Sequence, residues 1–140
     1  MFRKLGSDEQ GATVIEFAFL APALIILLFG VVQLALSAQS YNAMRSVASE
    51  TARYAVVEYQ KQTPVTDDAV QTFAKDLGTG ARYQMLANLD ATVDTAGTQR
   101  VDGAVEKTLT LTYTPPAVMP LVDWISPELT FTRPIFVIDE

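Results

Sequence analysis

The chain has 140 residues, 49% of them apolar, and sets 10 Lys and Arg against 16 Asp and Glu for a net charge of −6. So acidic a balance argues against a nucleic-acid partner. Cysteine and histidine are both absent, which removes thiol and imidazole catalysis, the usual zinc ligands and disulfide bracing. No enzymatic activity, metal or cofactor is expected on these grounds, and the length suits one compact unit.

The head of the chain carries Arg3 and Lys4, and no further positive charge occurs before Arg45. By the positive-inside rule this places the N-terminus in the cytoplasm. The block Phe17 to Ala38 then has no charged residue, and its only strongly polar side chains are Gln33 and Ser37. As a helix it spans roughly 33 Å, enough to cross a hydrocarbon layer of about 30 Å, and it is apolar all round. Pro22 falls inside the span and predicts a kink or local melting, because it lacks an N–H and clashes one turn back. A cleavable secretory signal is the competing reading, with Ala35-Leu36-Ser37 as its small-x-small site. The block exceeds the ~7–15 residues of a signal core, and an acid stands at its entrance.

That acid is Glu16, five residues after Gly11 and directly before Phe17. An acid inside a membrane helix is costly and usually marks function, though near the interface it can snorkel into water and gain from the helix N-terminal dipole. A second reading supposes cleavage between Gly11 and Ala12. Ala12 would then carry an ammonium group, and Glu16 of one copy could meet the ammonium of a staggered neighbour, setting the register between subunits.

Beyond Ala38 the helix is expected to continue to about Gln60. Tyr41, Met44, Ala48, Ala52, Ala55 and Tyr59 recur at spacings of three and four, with Asn42, Ser46, Glu50 and Arg53 opposite them. Pro64 ends this region. Thr66 is the predicted cap of a second helix with Asp67 and Asp68 in its first turn and Ala69, Val70, Phe73, Ala74 and Leu77 as its buried stripe; Gly78 is the expected terminator. After Gly80 the period falls toward two. Leu89, Ala91 and Val93 alternate with Asp90, Thr92 and Asp94, and Val105 to Tyr113 turns Leu109, Leu111 and Tyr113 to one side and threonines to the other. Asp102-Gly103 offers the turn before that strand. Around Trp124 an apolar, proline-bounded segment reads as a core lid or a contact surface, and a last strand runs from Leu129 to Ile138 with Pro134 marking an edge or bulge. The predicted fold class is α+β: a long N-terminal membrane-spanning helix continuing into a small domain with a second helix and a short antiparallel sheet. The predicted division is a cytoplasmic leader over 1–11, a transmembrane helix over 12–38 and a non-cytoplasmic domain over 39–140, which includes the helix extension 39–60.

Gly11, Glu16 and Phe17 followed by a long apolar helix resemble the type IV prepilin processing signature. More narrowly, Glu16-Phe17-Ala18-Phe19-Leu20-Ala21-Pro22 and then Leu24 to Gly30 are similar to the opening of the TadE-like minor pseudopilins of the tight-adherence (Tad) pilus system. The run Ala48-Ser49-Glu50-Thr51-Ala52-Arg53-Tyr54-Ala55 resembles the A-R-E-G-A-R-Y-A pattern of that family, with Ser49 in place of an arginine and Thr51 in place of a glycine. The similarity covers about the first sixty residues. It implies a prepilin peptidase acting at Gly11, Ala12, Glu16 and Phe17, and a single-pass protein of the bacterial inner membrane. It also implies partners among other pilin and pseudopilin subunits, an inner-membrane assembly platform and the lipid bilayer. The alternative is an uncleaved bitopic scaffold of a pilus or secretion complex.

Overall fold

The computed structural model describes residues 9–61, 65–85, 88–118 and 126–138, with side chains described from Thr13 to Val137. One helix, α1 (Glu9–Gln60), runs through the apolar block and on into the folded domain, staying helical through Pro22. Proline removes the bond that its N–H would have made to the Ala18 carbonyl, yet the helix is not interrupted there. At the far end the Lys61 N–H donates to the Val57 and Glu58 carbonyls, both at 3.2 Å, and so closes the last turn.

The second helix, α2 (Asp67–Thr79), is fixed at both ends by local chemistry. Thr66 Oγ1 accepts from the Ala69 N–H at 3.3 Å, and Asp67 and Asp68 lie at the positive end of the helix dipole. Gly80, not Gly78, terminates it: the Gly80 N–H donates to the Asp76 carbonyl at 2.9 Å. Gly78 is instead buried inside the helix, where a Cβ would come within 2.2 Å of Leu89 Cδ2. It is there to let the chain before the sheet approach closely, a demand that a stop signal in sequence does not distinguish.

Three strands, β1 (Asp90–Thr95), β2 (Ala104–Tyr113) and β3 (Leu129–Ile138), form an antiparallel sheet in the order β1-β2-β3. Gly103 takes a φ of +79° in the turn that feeds β2, a conformation open to glycine. Register pairs Val93 with Leu109 and Leu111 with Phe131, so the apolar residues of all three strands share one face. That face closes on α1 and α2. Met44, Val47, Ala48 and Ala55 of α1, Val70 and Ala74 of α2, and Leu109, Leu111, Ile135 and Val137 of the sheet are all buried in one cluster. Pro134 lies on an edge strand, where a missing N–H costs no ladder bond to a further strand. The fold is thus the expected α+β arrangement.

The opposite face of the sheet is rich in threonine and also carries Glu106 and Phe136. Glu106 is buried there and is held by the Arg100 guanidinium, which also lies over the Phe136 ring at 5.5 Å. The hydrogen bonds and charge of Arg100 hold the Glu106 carboxyl below the usual carboxylate range. Lys75, at 2.8 Å, does the same for Asp90. Both groups titrate lower in the folded chain than in the unfolded one. Their contribution is complete above the ordinary carboxylate values and is lost as pH falls through the folded ones. Thermal melts should therefore drop steeply below about pH 4, and Glu106→Gln should flatten that slope.

Thr51 is fully buried on α1, and its Oγ1 makes no hydrogen bond among the described residues. Replacing the hydroxyl with a methyl group removes an uncompensated desolvation cost. Thr51→Val is expected to stabilise the domain by about 1 kcal/mol, read as a melting temperature raised by a few degrees. An unchanged or lower melting temperature would contradict it.

Candidate functional site

The candidate site is α1 itself, read from its N-terminal end. Between Thr13 and Val32 no side chain is buried by the rest of the protein. Val14, Ile15, Phe17, Phe19, Leu20, Leu24 and Leu27 are each more than half exposed, Phe19 by 80%. This is the one helix among the described residues long and apolar enough to cross a membrane. The uncovered stretch is about 30 Å long at 1.5 Å per residue, matching the hydrocarbon thickness of a bilayer. Apolar side chains in such number gain nothing from water, so this surface is built for lipid or for other apolar helices.

Glu16 projects from this stretch one turn after Ala12, on the same face and about 6 Å along the axis. Gly11 and Ala12 lie within the helical backbone of α1, outside the described side chains. Glu16 and Phe17 are exposed. The structure therefore places all four residues on one continuous helix and leaves Glu16 open to whatever surrounds it.

Exposure changes abruptly at Gln33. This side chain is 4% exposed, and three hydrogen bonds account for its amide. Its Nε2 donates to the Pro116 carbonyl at 3.3 Å and to Ser126 Oγ at 3.4 Å, and its Oε1 accepts from the Val118 N–H at 2.9 Å. The connection between β2 and β3 thus descends to α1 and is held there from both sides. Ser37, one turn on, is also buried and donates to the Gln33 carbonyl at 2.9 Å. The two polar residues of the apolar block are the places where the domain first covers the helix. A lone amide in a greasy run was the available signal in sequence; its partners, more than eighty positions away, were not. The segment around Trp124, from Met119 to Ile125, lies outside the described residues.

Above this seat lies the Ala48 to Ala55 run. Ala48, Thr51, Ala52 and Ala55 are buried against the core, where small side chains permit close packing. Glu50 accepts from the Tyr83 hydroxyl and pairs with Arg82, both at 2.7 Å, so it fastens the chain that follows α2. Burial, and then the Glu50 carboxylate, push the Tyr83 phenol above its usual range. Tyr54 stacks on Phe73 of α2 with ring centroids 4.1 Å apart. Arg53 alone in the second half of the run points outward. Below Glu50, an open cleft of about 510 Å³ lies among Leu36, Gln39 and Ala43 of α1, Arg82 to Met85, and Tyr113, Pro115 and Pro116.

Gln33→Leu should leave the Val118 N–H and the Pro116 carbonyl without their partner, a cost of about 1–3 kcal/mol. Hydrogen exchange at the Val118 amide should accelerate. Unchanged protection there would show that the side chain does not hold the connection.

No curated protein and no solved structure matches the chain. The family model described as TadE-like protein matches residues 11–53, from the glycine before Ala12 to the exposed Arg53. Over that stretch, which contains the apolar helix, Gln33 and most of the Ala48 to Ala55 run, the chain is similar to that family.

Proposed function

We propose that this protein is a minor pilin-like subunit of a Tad-type pilus, processed after Gly11 and then acting in pilus assembly. The observation that carries the reading is the TadE-like match over residues 11–53, whose first residue is Gly11 and whose helix offers about 30 Å of uncovered apolar surface. Arg3 and Lys4 put the leader in the cytoplasm, so the domain stands on the far side of the inner membrane. Thr13 to Val32 then occupies the hydrocarbon, and Gln33 marks the level at which the folded domain meets the headgroups. The role is one of assembly, with no chemistry required of a chain that lacks histidine and cysteine.

Processing changes the electrostatics of the entrance. Cleavage creates an ammonium on Ala12, one helical turn from Glu16. A neighbouring copy displaced by about one turn brings its own ammonium to the level of that carboxylate. Pairing removes much of the cost of an acid among apolar helices, and a copy out of register leaves it uncompensated. Glu16 therefore selects the stagger between subunits more than it stabilises any one of them. The partners under this reading are other pilin and pseudopilin subunits, the prepilin peptidase and the assembly platform.

Mass measurement of the mature terminus tests the proposal. A chain starting at Ala12 supports it; Met1 supports the uncleaved scaffold, and Ala38 a released domain. Gly11→Val should abolish processing, and normal cleavage of that variant refutes the site. Glu16→Ala should be processed and yet reduce piliation severely; full piliation would remove the register argument.

A further inference from the structure

The outward face of α1 above the apolar stretch carries Arg45, Ser49 and Arg53, spaced four residues apart and all exposed. Five other basic side chains pair with acids of the same chain. Neither Arg45 nor Arg53 forms an ion pair among the described residues. The outward face of α2 repeats the pattern in the opposite charge: Asp68, Thr72 and Asp76, at the same spacing, are all exposed. Neither aspartate is in an ion pair among the described residues. Each row is about 12 Å long.

The two helices run in opposite directions. Lys107 lies over the Tyr59 ring and pairs with Asp67, Tyr54 stacks on Phe73, and Glu50 meets Arg82 and Tyr83, so positions descend on α1 as they rise on α2. From the Tyr54–Phe73 rung, Asp76 stands about level with residue 51 and Asp68 about level with residue 59. Arg45 is thus some six residues below Asp76, and Arg53 some six below Asp68. Both offsets are about 9 Å and have the same sign.

We propose that α1 of one copy docks its arginine row on the aspartate row of α2 in a second copy, with the arginine-bearing copy raised by about 9 Å. Arg45 then meets Asp76 and Arg53 meets Asp68 together, with Ser49 opposite Thr72. The proposal rests on the pilin-like reading for its raised geometry, since two copies seated at equal depth in one bilayer are out of register. The stagger invoked for Glu16 has the same sense: the higher copy supplies the Ala12 ammonium and the lower one the carboxylate, at a displacement of about 6 Å. The contact is heterologous, so each copy keeps one row for a further neighbour and the series does not close on itself. Exposed pairs of this kind are weak in water, and a shared membrane supplies the effective concentration that a soluble dimer lacks.

Cysteine cross-linking of the full chain in membranes of pilus-assembling cells tests this, because the chain has no cysteine of its own. Ser49→Cys copies mixed with Thr72→Cys copies should give a cross-linked dimer with a short bismaleimide, and each variant alone should give none. Placing Arg45→Glu and Arg53→Glu in the Ser49→Cys copy should lower the yield about tenfold, and adding Asp68→Arg and Asp76→Arg to the Thr72→Cys copy should restore it. That restoration separates lost contact from lost folding. Self-cross-linking of Ser49→Cys, cross-linking to another protein alone, or indifference to charge reversal overturns the proposal. The mature terminus is measured on the same samples. An Ala12 terminus without the cross-link overturns the contact and leaves the pilin-like reading standing; a Met1 terminus with a charge-dependent cross-link does the reverse.

Discussion

One uninterrupted helix has to satisfy two environments, and every other element is arranged around that requirement. In lipid the backbone polar groups must be bonded within the segment, which α1 achieves by being helical throughout its length, the Ala18 carbonyl opposite Pro22 excepted. Outside lipid the same helix must supply a wall of a small hydrophobic core. The chain resolves this by changing the side chains along the helix while leaving its backbone alone. Bulky apolar residues surround the first part, and beyond Gln33 one face turns to Met44, Val47 and a series of alanines. Alanine keeps helix propensity high and lets α2 and the sheet come close.

Apolar burial is non-directional, so it does not by itself fix how far along α1 the domain sits. Polar contacts at three heights do. Gln33 holds the β2 to β3 connection at the bottom, Glu50 holds the chain after α2 in the middle, and Asp67 with Lys107 ties α2 to the sheet at the top beside Tyr59. A one-residue slip of the domain along the helix would rotate the helix face by about 100°, break the Gln33 and Glu50 contacts and carry Tyr59 away from Lys107. The alanines supply closeness and the polar grips supply register.

Much of this was legible from periodicity. The run of apolar residues, the alternation around Leu109 and Leu111, and the capping chemistry at Thr66 are local patterns, and each produced its element. What could not be read was any choice made by tertiary partners. Val47 and Thr51 are buried although the stripe drawn through Met44, Ala48 and Ala52 passes beside them, because α2 and the sheet together cover more of the helix than a single stripe does. Glu50 falls on the polar side of the helical pattern, and only the fold brings Arg82 and Tyr83 to it. Glu106 was still less visible: an acid within a strand reads as a solvated position, whereas Arg100, six residues away across a turn, makes burial tolerable. For the entrance of α1, the residues Gly11 to Phe17 were informative through a resemblance, and the fold adds that they share one helix with everything above.

No linker separates the lipid-facing part of α1 from the part that carries the domain. From Gln33 to Gln60 the helix forms an arm of roughly 40 Å, and membrane helices commonly tilt by ~20°. A change of 10° in the tilt of the buried end would swing the far end of that arm by about 7 Å. Thickness or crowding of the surrounding bilayer is in this way converted into lateral position of the domain, and a force applied to the domain is returned to the lipid-embedded base as torque.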